Sequence, residues 1–252
     1  MKNKNHIKFA EMATKVWKEL NRDVQERLKK YFHLRPTSSG VTIVSTLPFA
    51  PMRGLRITTE EDLRKYLNVI LDGYKKITSD NEKNALGFLT NELKMKTRVK
   101  EKEKSEEYFQ AIMINNITAP NGGKNLQEIL SAHEPVKFVA SEFIFEKGKN
   151  KIDIVGYDGK DLYFFELKKD RTTKVNQVAQ YVNYYKDNKD ALCELLRNYP
   201  INPVKDYDDI KGVMVMRHAE GSVSDKTWQQ LAKKNGIDII FFKISLSFQK
   251  IA

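Results

Sequence analysis

Apolar positions recur at helical spacing near the start of the chain, at Phe9, Met12, Val16, Leu20, Val24 and Leu28. That spacing predicts one amphipathic helix over residues 8–34, whose stripe serves as core or as a dimer contact. Pro36-Thr-Ser-Ser-Gly40 reads as a loop and Val41–Leu47 as a strand, with Pro48, Pro51 and Gly54 interrupting the next stretch. Thr58-Thr-Glu-Glu-Asp62 looks like a helix start, with Leu63, Tyr66, Leu67, Ile70 and Leu71 along one side. Ser79-Asp-Asn-Glu82 resembles a second capping box, ahead of Leu86, Leu89 and Leu93. Residues 94–107 form a charge run, which reads as a connector or an exposed linker. The periodicity then becomes that of an α/β unit. A helical run at Tyr108–Ile117 precedes strand-like runs at Phe138–Phe145, Lys151–Val155 and Leu162–Lys168. A helix over 173–186, a strand at Ile210–Met216, a helix from Ser224 closed by Asn235-Gly236, and a strand at Ile237–Phe242 complete it. Asn121-Gly122-Gly123 reads as a loop without the rest of a phosphate-binding motif.

The two runs Lys151–Val155 and Leu162–Lys168 flank Asp158-Gly159, a strong hairpin signal. A turn centred there sets Tyr157 against Lys160 and Asp153 against Phe164, with Glu166 a diagonal neighbour about 7–8 Å away between backbones. Strand alternation places Asp153, Phe164, Glu166 and Lys168 on one face, and a four-residue loop would preserve that parity. Charged residues inside such apolar runs are rarely buried unless they are paired or hold a metal. Two carboxylates on adjacent strands suit a hard, oxygen-seeking cation such as Mg²⁺, and a neighbouring ammonium suits the nucleophile or the transition state. The competing reading is a surface hairpin carrying a Glu–Lys ion pair.

These residues resemble the PD-(D/E)XK nuclease superfamily. The likeness rests on Ile152-Asp153, a twelve-residue gap, Glu166-Leu167-Lys168, and Gln177-Val-Ala-Gln-Tyr181 on the following helix, and it covers roughly residues 106–245. Ile152 stands where the pattern has its nominal Pro. The resemblance implies a restriction-endonuclease-like core, a mixed central sheet flanked by helices, and the pattern is similar to repair or defence nucleases of archaea and bacteria. It implies that Asp153 and Glu166 ligate Mg²⁺, for which Mn²⁺ can substitute, with the Leu167 carbonyl as a third ligand. Lys168 would act on the attacking water, and Gln177 and Tyr181 would touch the metal site or the nucleic-acid backbone. Two further acids are candidates. Glu142 joins the same face if a tight turn near Gly148-Lys149 pairs its strand with that of Asp153. Glu107 would be the acid of the first core helix, or else a first-turn residue that offsets the helix dipole.

Composition changes the picture in one respect. The 252 residues carry a net charge of +11, and residues 1–105 hold 23 basic against 13 acidic side chains. The excess therefore lies ahead of the α/β unit, which attracts phosphate backbones without reading sequence. With the charge run as boundary, residues 1–100 read as a basic, mainly helical region for nucleic-acid, partner or dimer contacts, and 101–252 as the nuclease domain and a complete folding unit. No apolar run reaches the about 18 residues of a membrane span, and no signal-type apolar segment succeeds Met1-Lys-Asn-Lys-Asn-His6, so a cytoplasmic protein is expected. Cys193, the one cysteine, reads as a packing residue, and the four histidines lack metal-ligand spacing. DNA is the expected partner, with RNA the alternative and a homodimer a further option. The rival function is a nucleic-acid-binding protein that keeps the fold and lacks the chemistry.

Overall fold

The computed structural model describes residues 4–47, 52–74, 77, 82–97, 106–119, 122–144, 151–168, 175–217 and 225–242. The fold is α/β. An antiparallel sheet and a mixed five-stranded sheet pack with helices between and around them.

The N-terminal periodicity is broken earlier than its spacing predicts. Helix α1, Lys4–Glu19, ends before Asn21, whose side chain accepts from the Val24 N–H at 2.9 Å and caps a separate short helix α2, Arg22–Lys29. A residue such as Asn competes for the backbone and favours a cap over a helix interior. The chain then enters strand β1, Phe32–Thr37, which takes in Pro36 and Thr37 where a loop was expected. Proline is tolerated there because β1 is an edge strand, with β2 (Gly40–Ser45) on its other side. Strand β3, Met52–Ile57, spans Gly54, and a two-residue β4, Lys96–Thr97, completes the sheet in the order β1-β2-β3-β4. Among the described residues of the first hundred, helices thus remain in the majority, with a four-stranded sheet beside them. Thr59 caps helix α3, Glu60–Asp72, by accepting from the Asp62 N–H at 3.2 Å, as its spacing predicts. Helix α4, Glu82–Gly87, runs into a π-helical turn at Phe88–Glu92. Its expected capping residues at 79–81, and most of the charge run, lie outside the described residues.

Helix α5, Glu106–Thr118, is followed by α6, Gly122–Leu130, where the sequence suggests only a loop. Gly123 allows this. A Cβ there would lie 2.5 Å from the Val136 carbonyl oxygen, so the helix start presses directly on the approach to strand β5. Strands β5 (Lys137–Phe143), β6 (Ile152–Tyr157) and β7 (Leu162–Lys168) form an antiparallel meander. Helices α7 (Asn176–Lys186) and α8 (Lys189–Leu196) then cross over to β8 (Ile210–Arg217), parallel to β7. Helix α9 (Asp225–Asn235) ends at Gly236, with φ 61, and leads to β9 (Ile237–Phe242), parallel to β8.

The apolar core does not stop near residue 100. One cluster joins Trp17, Phe32 and Leu67 to Phe138, Tyr163 and Phe165. On the other face of the five-stranded sheet, Ala10 packs with Phe143, Phe164, Tyr185 and Tyr199. His6 of α1 sits there against Tyr199, Nε2 to Oη 3.3 Å, and burial lowers its pKa to about 4, so it packs as a neutral ring. A fragment beginning near residue 100 would expose both of these surfaces. No helix among the described residues is long and apolar enough to cross a membrane.

Candidate active site

The β6–β7 hairpin closes through four residues, Asp158–Asp161, rather than two: Tyr157 pairs with Leu162 and Ile154 with Phe165. The wider loop forms because the Asp158 side chain accepts from the N–H groups of Lys160 and Asp161, at 2.9 and 2.6 Å, while Gly159 takes φ 92. Face parity survives, but the register changes. The paired register ends at Ile154↔Phe165, and Asp153 and Glu166 are the next residues outward on their strands, opposed in register rather than diagonal. Both lie on the sheet face covered by α7, at the open end of the hairpin.

Glu166 is only 4% exposed. Its Oε1 receives the Lys168 ammonium at 2.6 Å, and its Oε2 is buried without a partner among the described residues. Burial and the negative charge of Asp153 push its pKa up to about 7, against the pull of Lys168. Burial also raises Asp153, though the Leu167 N–H donates to its Oδ2 at 2.9 Å and Lys151 and Lys168 lie near. For both carboxylates burial is the leading cause, and the lysines beside them do not fully offset it. For Lys168, burial works against the charged form, but Glu166 and then Asp153 outweigh it and hold the pKa above its ordinary value. The ammonium stays charged.

Helix α7 brings Gln177 and Tyr181 to this end of the sheet, one turn apart, as their spacing predicts. The Gln177 amide donates to the Tyr181 hydroxyl. Burial raises the tyrosine's pKa, and Glu166 and Asp153 raise it further, so these carboxylates lie close enough to act on it. Leu167 meets the site through its N–H, the donor to Asp153.

The two further acids fare differently. Ser141↔Ile154 and Phe143↔Ile152 bracket Glu142 opposite Asp153 in register. Its backbone, however, is left-handed at φ 44, and its carboxylate is bound by Arg35 at 2.5 Å and Lys151 at 3.3 Å. Among the described residues no three carboxylate, histidine or cysteine side chains are placed to hold a metal together. In α5 the acid whose charge reaches Asp153 and Lys168 is Glu106, not Glu107. One turn along the same helix face, the Gln110 amide donates to the Asp153 carbonyl at 2.9 Å and ties α5 to the β6 strand. Sequence reasoning missed Gln110. Its i+4 spacing from Glu106 is the only signal it leaves, and that spacing acquires meaning only once Glu106 is known to face the strand end.

The N-terminal sheet reaches this region as well. Arg35 of β1 donates to Ser141 Oγ and Glu142 Oε2, and His33 of the same strand also bonds Ser141. The geometry therefore stands on four elements, β1, α5, the β5–β7 meander and α7. Comparison with protein-family models, with curated proteins and with solved structures gave no match.

Proposed function

We propose that the protein is a metal-dependent nuclease that hydrolyses phosphodiester bonds of DNA at the open end of the β6–β7 hairpin. The observation that carries this reading is buried Glu166 beside Asp153: its Oε1 is held by a charged lysine at 2.6 Å, while its Oε2 has no partner among the described residues. A buried carboxylate oxygen without a partner is costly in a purely structural role. Its chemistry fits Mg²⁺ or Mn²⁺, hard cations that favour oxygen ligands and keep several of their waters.

Asp153 and Glu166 are the residues that would hold the cation. In a strand the N–H and C=O of one residue leave on the same side, so the Leu167 carbonyl also turns toward β6 and can serve as a third ligand. When bound, the cation supplies a Lewis acid that offsets charge developing on the phosphate and makes water a better nucleophile. Lys168, held protonated, cannot accept a proton from that water. Its part is to orient the nucleophile and stabilise negative charge in the transition state. The Tyr181 hydroxyl, which accepts from Gln177, keeps its proton available for a phosphate oxygen of the backbone. Glu142, neutralised by Arg35 and Lys151, stays outside the ligand set, whereas Glu106 stands at the rim.

The test is incubation of the purified chain with linear, circular, branched and single-stranded DNA, and with RNA, in Mg²⁺ or Mn²⁺. Cleavage by the wild type that is lost in Glu166→Gln establishes the reading. Binding without cleavage under every metal would favour a silent nucleic-acid-binding protein, and RNA cleavage alone would correct the substrate.

A further inference from the structure

No step of the proposed hydrolysis uses Lys151, yet it stands at the edge of the site. It immediately precedes β6, two residues from Asp153 and therefore on the same strand face. Lys168 ends the neighbouring strand β7. The site thus carries the carboxylates of Asp153 and Glu166 and, toward the opening, the ammonium groups of Lys151 and Lys168. The positive charge of Lys151 acts on both Asp153 and Glu166. An anion arriving at the opening would meet both ammonium groups.

The two ammonium groups are held differently. Lys168 is a quarter exposed and lies 2.6 Å from Glu166, whereas Lys151 is half exposed and reaches Glu142 at a looser 3.3 Å. Glu142 does not depend on Lys151 for its neutralisation. Its other oxygen is bound by Arg35 at 2.5 Å, with both side chains nearly buried. If Lys151 leaves, Arg35 remains. The cluster can release one cation without stranding a buried charge.

We propose that Lys151 binds a backbone phosphate of the DNA strand beside the one being attacked, transferring from Glu142 to that phosphate as the strand seats, with Arg35 as the residue that keeps Glu142 in place. This rests on the nuclease reading and extends it to a further substrate contact. The contact is made to the phosphate backbone and carries no sequence information.

The experiment compares wild type, Lys151→Gln and Lys151→Arg on a linear double-stranded DNA oligonucleotide in Mg²⁺, with kcat and KM measured separately and binding monitored against salt. Lys151→Gln should raise KM about tenfold, the loss expected of one charge-assisted contact, with kcat little changed. It should also reduce the slope of log affinity against log salt by about one. Lys151→Arg should restore most of both. An unchanged KM and salt slope, or a loss confined to kcat, overturns the assignment. A wild type that neither binds nor cleaves DNA removes the nuclease reading and this contact with it. A wild type that cleaves and a Lys151→Gln that matches it remove this contact alone.

Discussion

The two ends of the β6–β7 hairpin each hold an aspartate, buried at the closed end and half-buried at the open end, and they treat it in opposite ways. At the closed end Asp158 accepts from the N–H groups of His133, Lys160 and Asp161 and from the Tyr163 hydroxyl. Burial alone would raise its pKa, but these donors outweigh burial and hold it below its ordinary value. At the open end Asp153 accepts from one N–H among the described residues, lies near Glu166, and is raised by burial. The same residue type on the same hairpin is a finished hydrogen-bond acceptor in one place and an unfinished one in the other. Folding accounts fully for the closed end. The open end retains acceptor capacity that none of the described residues uses.

The largest expected effect separates the ends by activity. Asp153→Ala and Glu166→Gln should each reduce cleavage to the level of a metal-only control while nucleic-acid binding persists. Undiminished turnover in either variant would erase the distinction. Lys168→Ala should come next, with the saturated rate down roughly 10²–10³-fold, the usual loss for one electrostatic stabiliser. Metal affinity, read by calorimetric titration of Mn²⁺, should hold, because an ammonium is not a ligand. Lost metal binding at an unchanged rate would show that the lysine serves the carboxylates instead.

Stability should separate the ends the other way. Asp158→Ala strands several donors and should cost about 3 kcal/mol or more in urea unfolding, with the rate per folded molecule unchanged. Glu166→Gln should cost little, since it removes a repulsion. Equal losses in the two variants would mean that the open end is as structural as the turn.

The smallest effect is in pH. The folded-state pKa of Glu166 is raised from 4.5 to about 7. Its contribution to stability is thus complete below the unfolded value and is lost as pH rises through the folded one. Asp158 is lowered from 3.8, so its contribution is present above that value and is lost as pH falls. The melting temperature of the metal-free chain should therefore drop between about pH 5 and about pH 8, and Glu166→Gln should flatten that drop. Mg²⁺ should raise the melting temperature more at the upper pH. A metal-free curve that rises across this range would contradict the assigned environment of Glu166.

The candidate site was largely legible because strand alternation is indifferent to loop length in steps of two. Asp153, Glu166 and Lys168 share a face for a two-residue turn and for the four-residue loop that forms. The register was not legible, since it depends on the Asp158 carboxylate folding back on the loop. Glu142 shows the same limit. Its position in register follows once β5 is paired with β6, but its left-handed backbone and its capture by Arg35 depend on a strand more than a hundred residues away. The N-terminal sheet was only half visible. Pro36 and Gly54 are local signals against a strand, and tertiary pairing at an edge overrides the first of them. Glu106 and Glu107 are neighbours in sequence, and only the rotation of α5 against the sheet chooses between them.

The loop at residues 158–161 acts as a calliper for the site it does not touch. Its span sets whether Asp153 and Glu166 stand as a facing pair, with Cβ atoms about 4.5–5.5 Å apart, or as a diagonal pair at about 7–8 Å. Removing two loop residues would keep every charge on its face and every strand paired, yet open the jaw between the carboxylates. Because the gap that admits a small octahedral ion differs from one that suits a larger, more loosely coordinated ion, loop length would, on the nuclease reading, set ion choice. It can be changed at the far end of the hairpin without altering a single residue of the site.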